Sequence, residues 1–139
     1  MSTKIKGGCA CGAVRYEIMT EPLMAGHCQC RDCQRMTGTG HASMMAFPEA
    51  ALKLTGEPKF HDVIAASGGI ASRGFCPVCG SFVIAKSSGM PGLVTISAGS
   101  LDDPGKFQPQ IVVFASSGQT WDHVDVSLPR FPQMPPNLP

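Results

Sequence analysis

The sequence predicts a mainly β fold, a small domain of short antiparallel sheets organised around metal. Three observations predict it. All seven cysteines of the 139 residues fall into three tight clusters, Cys9-Ala10-Cys11, Cys28-Gln29-Cys30-Arg31-Asp32-Cys33 and Cys76-Pro77-Val78-Cys79. The 16 glycines and 12 prolines make long helices improbable and favour short strands joined by turns. Apolar residues reach 43 %, enough to build one core in a chain of single-domain length.

The elements follow in order. The chain runs from its first four residues straight into a strand. Val14, Tyr16 and Ile18 alternate with Arg15 and Glu17, the period of a half-buried strand leaving the first cysteine pair. Gly12 suits a tight knuckle that turns backbone amides toward sulfur. Leu23 to Cys28 reads as a strand entering the middle cluster. Arg31 to Met36 reads as a helical turn closed by Gly38 and Gly40. His41 to Phe47 is a strand, and Pro48 to Ala51 is a one-turn helix with proline at its start. Leu52 to Thr55 and Lys59 to Ala65 are strands around Gly56-Glu57-Pro58. Ile70 to Phe75, the Cys76–Gly80 knuckle and Ser81 to Ala85 make a zinc-ribbon hairpin. Leu93 to Ala98 and Gln110 to Ala115 complete a set of eight or nine strands. The last segment, about 128–139, is expected to be an extended strap, since five prolines lie between Pro129 and Pro139. The whole of 1–139 reads as one zinc-binding domain.

The cysteine arithmetic points to metal. A structural zinc takes four protein ligands, and a working zinc takes three and keeps one position open. The outer clusters sum to four and the middle cluster to three. Disulfides fit poorly: seven is odd, and cysteines one residue apart do not meet bridge geometry. No apolar leader opens the chain, which predicts a cytoplasmic, reducing setting where thiols serve metals or catalysis. The expectation is therefore two Zn2+ per chain. Cys9, Cys11, Cys76 and Cys79 hold the structural ion, clamping two distant knuckles. Cys28, Cys30 and Cys33 hold the second. Three thiolates leave that second centre with a net charge near −1, so it suits one more thiolate better than an activated water. Formal net charge is +1 with no basic run, which argues against nucleic acid or anionic membrane as partners, and no apolar stretch is long enough to span a bilayer.

At these residues the chain resembles the glutathione-dependent formaldehyde-activating enzyme family, which includes the centromere protein V relatives. The resemblance rests on Gly8-Cys9-Ala10-Cys11-Gly12, on Cys28-Gln29-Cys30-Arg31-Asp32-Cys33-Gln34-Arg35-Met36-Thr37-Gly38, and on Arg73-Gly74-Phe75-Cys76-Pro77-Val78-Cys79-Gly80-Ser81. It extends over essentially the whole chain. It implies a β-tent fold around zinc, a structural zinc on the outer four cysteines, and a second zinc on the middle three that is associated with activity. The implied activity is that of a carbon–sulfur lyase of the S-(hydroxymethyl)glutathione synthase type, whose partners are a small thiol and an aldehyde such as formaldehyde. Family members commonly carry a histidine shortly after a proline near the C-terminal strand, and later a Pro-Trp pair. Here Gln110 follows Pro109 and Thr120 precedes Trp121. Glutamine cannot carry a proton near neutral pH as histidine does.

Among the remaining candidates, His41 follows the Thr37–Gly40 loop and is the catalytic acid or base this reading offers. His27, next to Cys28, is expected to be a structural or supporting residue, because neighbours on a strand face opposite ways. Arg31, Arg35 and Arg73 flank the clusters, either to pair substrate carboxylates or to balance thiolate charge. Met44 and Met45 are expected in the core. The competing reading is a non-catalytic, zinc-stabilised interaction module, which would need only the outer four cysteines.

Overall fold

A computed structural model describes residues 4–65 and 67–136. The last three residues of the expected strap lie outside the described residues. The protein is mainly β, with ten strands among the described residues where eight or nine were expected. β1 (Ile5–Gly8), β2 (Arg15–Ile18) and β5 (Leu52–Thr55) form a three-stranded antiparallel sheet. The larger sheet has seven strands in the order β10 (Ile111–Val113), β3 (Met24–Cys28), β4 (Ala42–Pro48), β9 (Leu93–Ser97), β8 (Phe82–Ser87), β7 (Ile70–Phe75), β6 (Lys59–Ile64). Every pairing is antiparallel except β10 with β3, which is parallel. One helix, α1 (Arg31–Thr37), and four single 3-10 turns complete the elements of the described residues.

Strand alternation decides what each sheet face carries. On β2, Tyr16 and Ile18 are buried between partly exposed neighbours. On β4, Met45 and Phe47 are buried, and on β9 Val94 and Ile96 are. These side chains meet in one core that also contains Ile5, Val14, Cys9 and Cys76. Fully burying an aliphatic or aromatic side chain of this size stabilises the fold by about 1.5–3 kcal/mol. The Tyr16 hydroxyl, deep in this core, is satisfied by Ser100 Oγ at 2.7 Å. On β8, Val83 and Ile84 are both buried although consecutive, because the register with β7 shifts at Gly74/Phe75.

The same alternation corrects one expectation. Met45 packs in the core, but Met44 is on the opposite face of β4, where it is only half-buried and borders a cavity. A period of two cannot place both in one core.

Residues 129–133 run along the free edge of β10. Val112 N–H donates to the Pro129 carbonyl, Phe131 N–H to Val112, and Ala115 N–H to Phe131, at 2.9, 2.9 and 3.0 Å. The proline-rich segment thereby covers an edge that would otherwise be open for pairing.

Candidate metal centres and active-site cavity

Two cysteine groups converge as the spacing predicted. The Sγ atoms of Cys9, Cys11, Cys76 and Cys79 all lie within 4.8 Å of one another, and so do those of Cys28, Cys30 and Cys33.

The four-cysteine group is built from two similar knuckles. In the first, Cys9 N–H donates to Val14 O and Gly12 N–H to Cys9 O; in the second, Cys76 N–H donates to Ser81 O and Gly80 N–H to Cys76 O. Gly12 and Gly80 each take positive φ, 84° and 79°, a turn that a side chain would strain. Backbone amides then aim at sulfur, Val14 N to Cys9 Sγ at 3.2 Å and Val78 N to Cys76 Sγ at 3.4 Å. The Val14 amide is the main cause holding the Cys9 thiol below its usual range. Hydrogen bonds from the Ser81 hydroxyl and amide bring Cys79 down to about 5. Cys9–Cys11 and Cys11–Cys76 sulfur separations are both 3.7 Å. A tetrahedron with zinc–sulfur arms of ~2.3 Å has edges of ~3.8 Å, so the donor set fits a tetrahedral ion.

The three-cysteine group comes from a single turn of chain. Cys28 ends β3, Cys30 caps α1, and Cys33 lies in the first turn of α1. Cys30 has the extended backbone of a helix cap, and its sulfur accepts from Cys33 N–H at 3.2 Å. All three are half-buried. Cys28 and Cys33 beside it, followed by the Cys33 and Asp32 amides, pull the Cys30 thiol down to about 2 against the effect of burial. The neighbouring Cys30 in turn pushes Cys28 up to about 12. Thiols arranged to stabilise a shared negative charge suit a cation. Three soft donors on one side fit zinc with a position left over.

A cavity of about 250 Å³ opens beside this group, bordered by Cys28 and Cys33. It lies on the face of the large sheet opposite the core, against Met24, Met44, Thr95 and Ala85. His27 and Arg73 also border it.

A polar network that the sequence did not reveal supports the three-cysteine turn. Gln34, 5 % exposed, donates to the carbonyls of Gln29 and Ser117 at 2.8 and 2.9 Å. Its Oε1 accepts from Arg31 and from Gln119. Gln29, 3 % exposed, donates to Asp122 Oδ2 at 3.0 Å. Asp122 also meets His41 Nδ1 at 2.9 Å. Burial opposes ionisation of Asp122, but the hydrogen bonds from Gln29 and His41 outweigh it and hold the carboxyl below its usual range. Gly40 is required here: a Cβ at that position would overlap the Asp122 carboxylate. Gln29 and Gln34 sit inside a cysteine motif that masks them, and Asp122 is 81 residues from His41, so no local pattern pairs them.

The other candidates have plain positions. His27 meets Ser43 Oγ at 2.9 Å and stacks edge-on against His41 with ring centroids 4.7 Å apart. Its burial, followed by the nearby His41, lowers its pKa. Thr37 Oγ1 donates to the carbonyls of Cys33 and His41, so the Thr37–Gly40 loop ties His41 to α1 as an ordinary turn. Arg31 and Arg35 are exposed on α1, His61 and His123 are exposed elsewhere, and Trp121 is 60 % exposed. Gln110 is exposed and faces a separate depression with Lys106 and Glu21, away from the thiols. Among the described residues no helix is long and apolar enough to cross a membrane.

No curated protein matches the chain. The fold is similar to a crystal structure of a Rhodobacter sphaeroides protein from a structural genomics programme, at TM-score 0.55 and 24 % identity, covering 70 % of this chain and 87 % of that one. A family model described as glutathione-dependent formaldehyde-activating enzyme matches residues 4–117, a span that contains all seven cysteines, and the chain belongs to that family.

Proposed function

We propose that this protein is a zinc-dependent carbon–sulfur lyase acting on the adduct of a small, glutathione-like thiol with an aldehyde such as formaldehyde. One observation carries the reading. Three half-buried cysteines from a single six-residue stretch converge, and two of them border a cavity. A domain that used zinc only as a clamp would need the other four alone. Family membership supports a thiol and an aldehyde as the reacting pair.

In this reading Cys9, Cys11, Cys76 and Cys79 hold a structural zinc, and Cys28, Cys30 and Cys33 hold a second. Bound there, zinc supplies a place where an incoming thiol gives up its proton and is held as thiolate. The remaining steps belong to the chain. Cys28 and Cys33 put the reacting end of the substrate at the mouth of the cavity. Asp122 engages His41 Nδ1 and fixes its ring edge-on against His27; His41 does not itself border the cavity and His27 does, so His41 acts on the proton of the carbonyl oxygen through His27. Gln29 and Gln34 hold the turn against residues 117–122, so the thiolates do not shift as substrate enters. A reducing cytoplasmic setting keeps the seven cysteines out of disulfides and available to metal.

The test is Cys30→Ser in protein whose metal content is measured. Serine still caps a helix, so α1 and the fold remain. Zinc is expected to fall from two to one per chain, and glutathione-dependent adduct exchange, followed by NMR, to drop to the uncatalysed rate. Binding of glutathione no tighter than that of a thiol-free analogue in the wild-type protein would replace the enzyme by the interaction module.

A further inference from the structure

The cavity is too large and too apolar for the smallest aldehyde. Its volume of about 250 Å³ compares with ~30 Å³ for one water in the liquid, so it has room for about eight groups of that size. Formaldehyde has two heavy atoms. The lining draws a methionine from each of five separate segments, Met24, Met36, Met44, Met90 and Met134. Unbranched thioether chains fill irregular space and mould themselves to flexible apolar guests. Peptide amides of a thiol such as glutathione would lose water against the methionines without finding partners; the cations on the lining are Arg73 on β7 and Lys86, which is already paired with Glu49. At one end stand Cys28 and Cys33, which ties this space to the reacting group rather than to an unrelated surface.

We propose that the cavity binds an unbranched apolar chain of about six to eight carbons, and that this chain belongs to the aldehyde whose carbonyl end reaches the thiolates. The proposal rests on the thiol–aldehyde reading above and narrows its substrate class from formaldehyde to medium-chain aldehydes. The step is balanced without any oxidant. Thiolate sulfur bonds to the carbonyl carbon, the C=O π bond breaks onto oxygen, and oxygen takes up the proton that the thiol released. The reverse step frees thiol and aldehyde. The methionine wall holds the chain, and the charged ends of the thiol stay at the solvent side of the cysteine turn.

Two measurements on fully zinc-loaded protein test this. The first compares glutathione-dependent adduct exchange for formaldehyde, propanal, hexanal and octanal. Turnover efficiency is expected to rise about fourfold per added methylene until the cavity is full. In Ala85→Leu, and separately in Met44→Gln, the ratio of octanal to formaldehyde efficiency is expected to fall at least tenfold; either variant suffices if the other misfolds. The second measurement needs no reaction: methyl-labelled methionine NMR during titration with 1-octanol. Shifts at Met24 and Met44 with saturation support the chain site, even if no aldehyde turns over and the lyase reading fails. Efficient formaldehyde turnover with a flat chain-length series overturns the proposal and leaves the lyase reading intact. Octanol without effect on these methyls overturns it as well, as does a stable dimer that buries them, since a second copy would then occupy this face.

Discussion

The two cysteine groups use the same side chain for opposite ends. The four-cysteine group gathers donors from knuckles 65 residues apart, with Cys9 and Cys76 inside the core and Cys11 and Cys79 at the surface. Its sulfurs are surrounded by tight turns and backbone amides, and they lie outside the cavity that the other group borders. The three-cysteine group comes from one turn, reaches only part of the way around an ion, and borders open space on the other side. Ligands distant in sequence close a loop and act on folding. Ligands adjacent in sequence contribute little to loop closure and leave room for chemistry.

The sharpest way to break this contrast is to remove one ligand from the closed group. Cys76→Ser takes away a sulfur that lies in the core as well as in the metal set. Structural zinc contributes roughly 10–16 kcal/mol of apparent binding free energy in small peptide systems, as large as the roughly 5–15 kcal/mol that typically separates folded from unfolded chains. Loss of soluble folded protein is expected, read by circular dichroism and by metal content. A Cys76→Ser protein with an unchanged melting temperature would mean that the core alone carries the fold, and that the two groups do not differ in kind.

The contrast also predicts an order of metal loss. Under increasing chelator, the metal held by Cys28, Cys30 and Cys33 is expected to leave first, at least tenfold ahead in chelator concentration, with little change in circular dichroism. The second loss is expected to coincide with unfolding. Simultaneous release of both metals, or unfolding at the first release, would show that the middle cysteines are structural too.

How much of this was legible in the sequence follows from the range of each signal. The cysteine pairing was legible because spacing and count carry it, and the strands because alternation at Tyr16–Ile18 or the apolar run from Leu93 to Ala98 is local. The helix end at Gly38 was legible from its glycine, which takes φ 76°. The Gln29–Asp122–His41 connection was not, because it joins residues up to 93 positions apart through types that are usually solvated. The parallel pairing of β10 with β3 was equally hidden, since three residues have no pattern that names a partner. The cavity escaped for a related reason. Its methionines are scattered over five segments, and only the topology brings them to one face.

The smallest expected effect concerns the support of the open group. Asp122 is 6 % exposed at its side chain and accepts from Gln29 and His41. Asp122→Asn keeps the shape but removes the charge, and it is expected to cost about 1–2 kcal/mol at pH 7, the range of a hydrogen bond to a charged group less what asparagine retains. The sign of its pH dependence follows from the lowered folded pKa. A carboxylate depressed in the folded state contributes its full stability above its unfolded value, about 3.9, and loses it as pH falls through the folded value. The stability gap between wild type and Asp122→Asn is therefore expected to be constant from pH 7 to about pH 5 and to shrink below about pH 4. Read as a difference between two proteins, the gap cancels the acid lability of any metal the cysteine groups hold, which both share. Zinc content is expected to stay at two per chain at pH 7, and adduct exchange to fall, because asparagine no longer holds a charged partner against His41 Nδ1. A gap that persists unchanged to pH 3 would show that Asp122 supports the cysteine turn by shape alone. The open group would then owe its stability to packing, as the closed group's core sulfurs do, and the contrast between the two would narrow to the cavity alone.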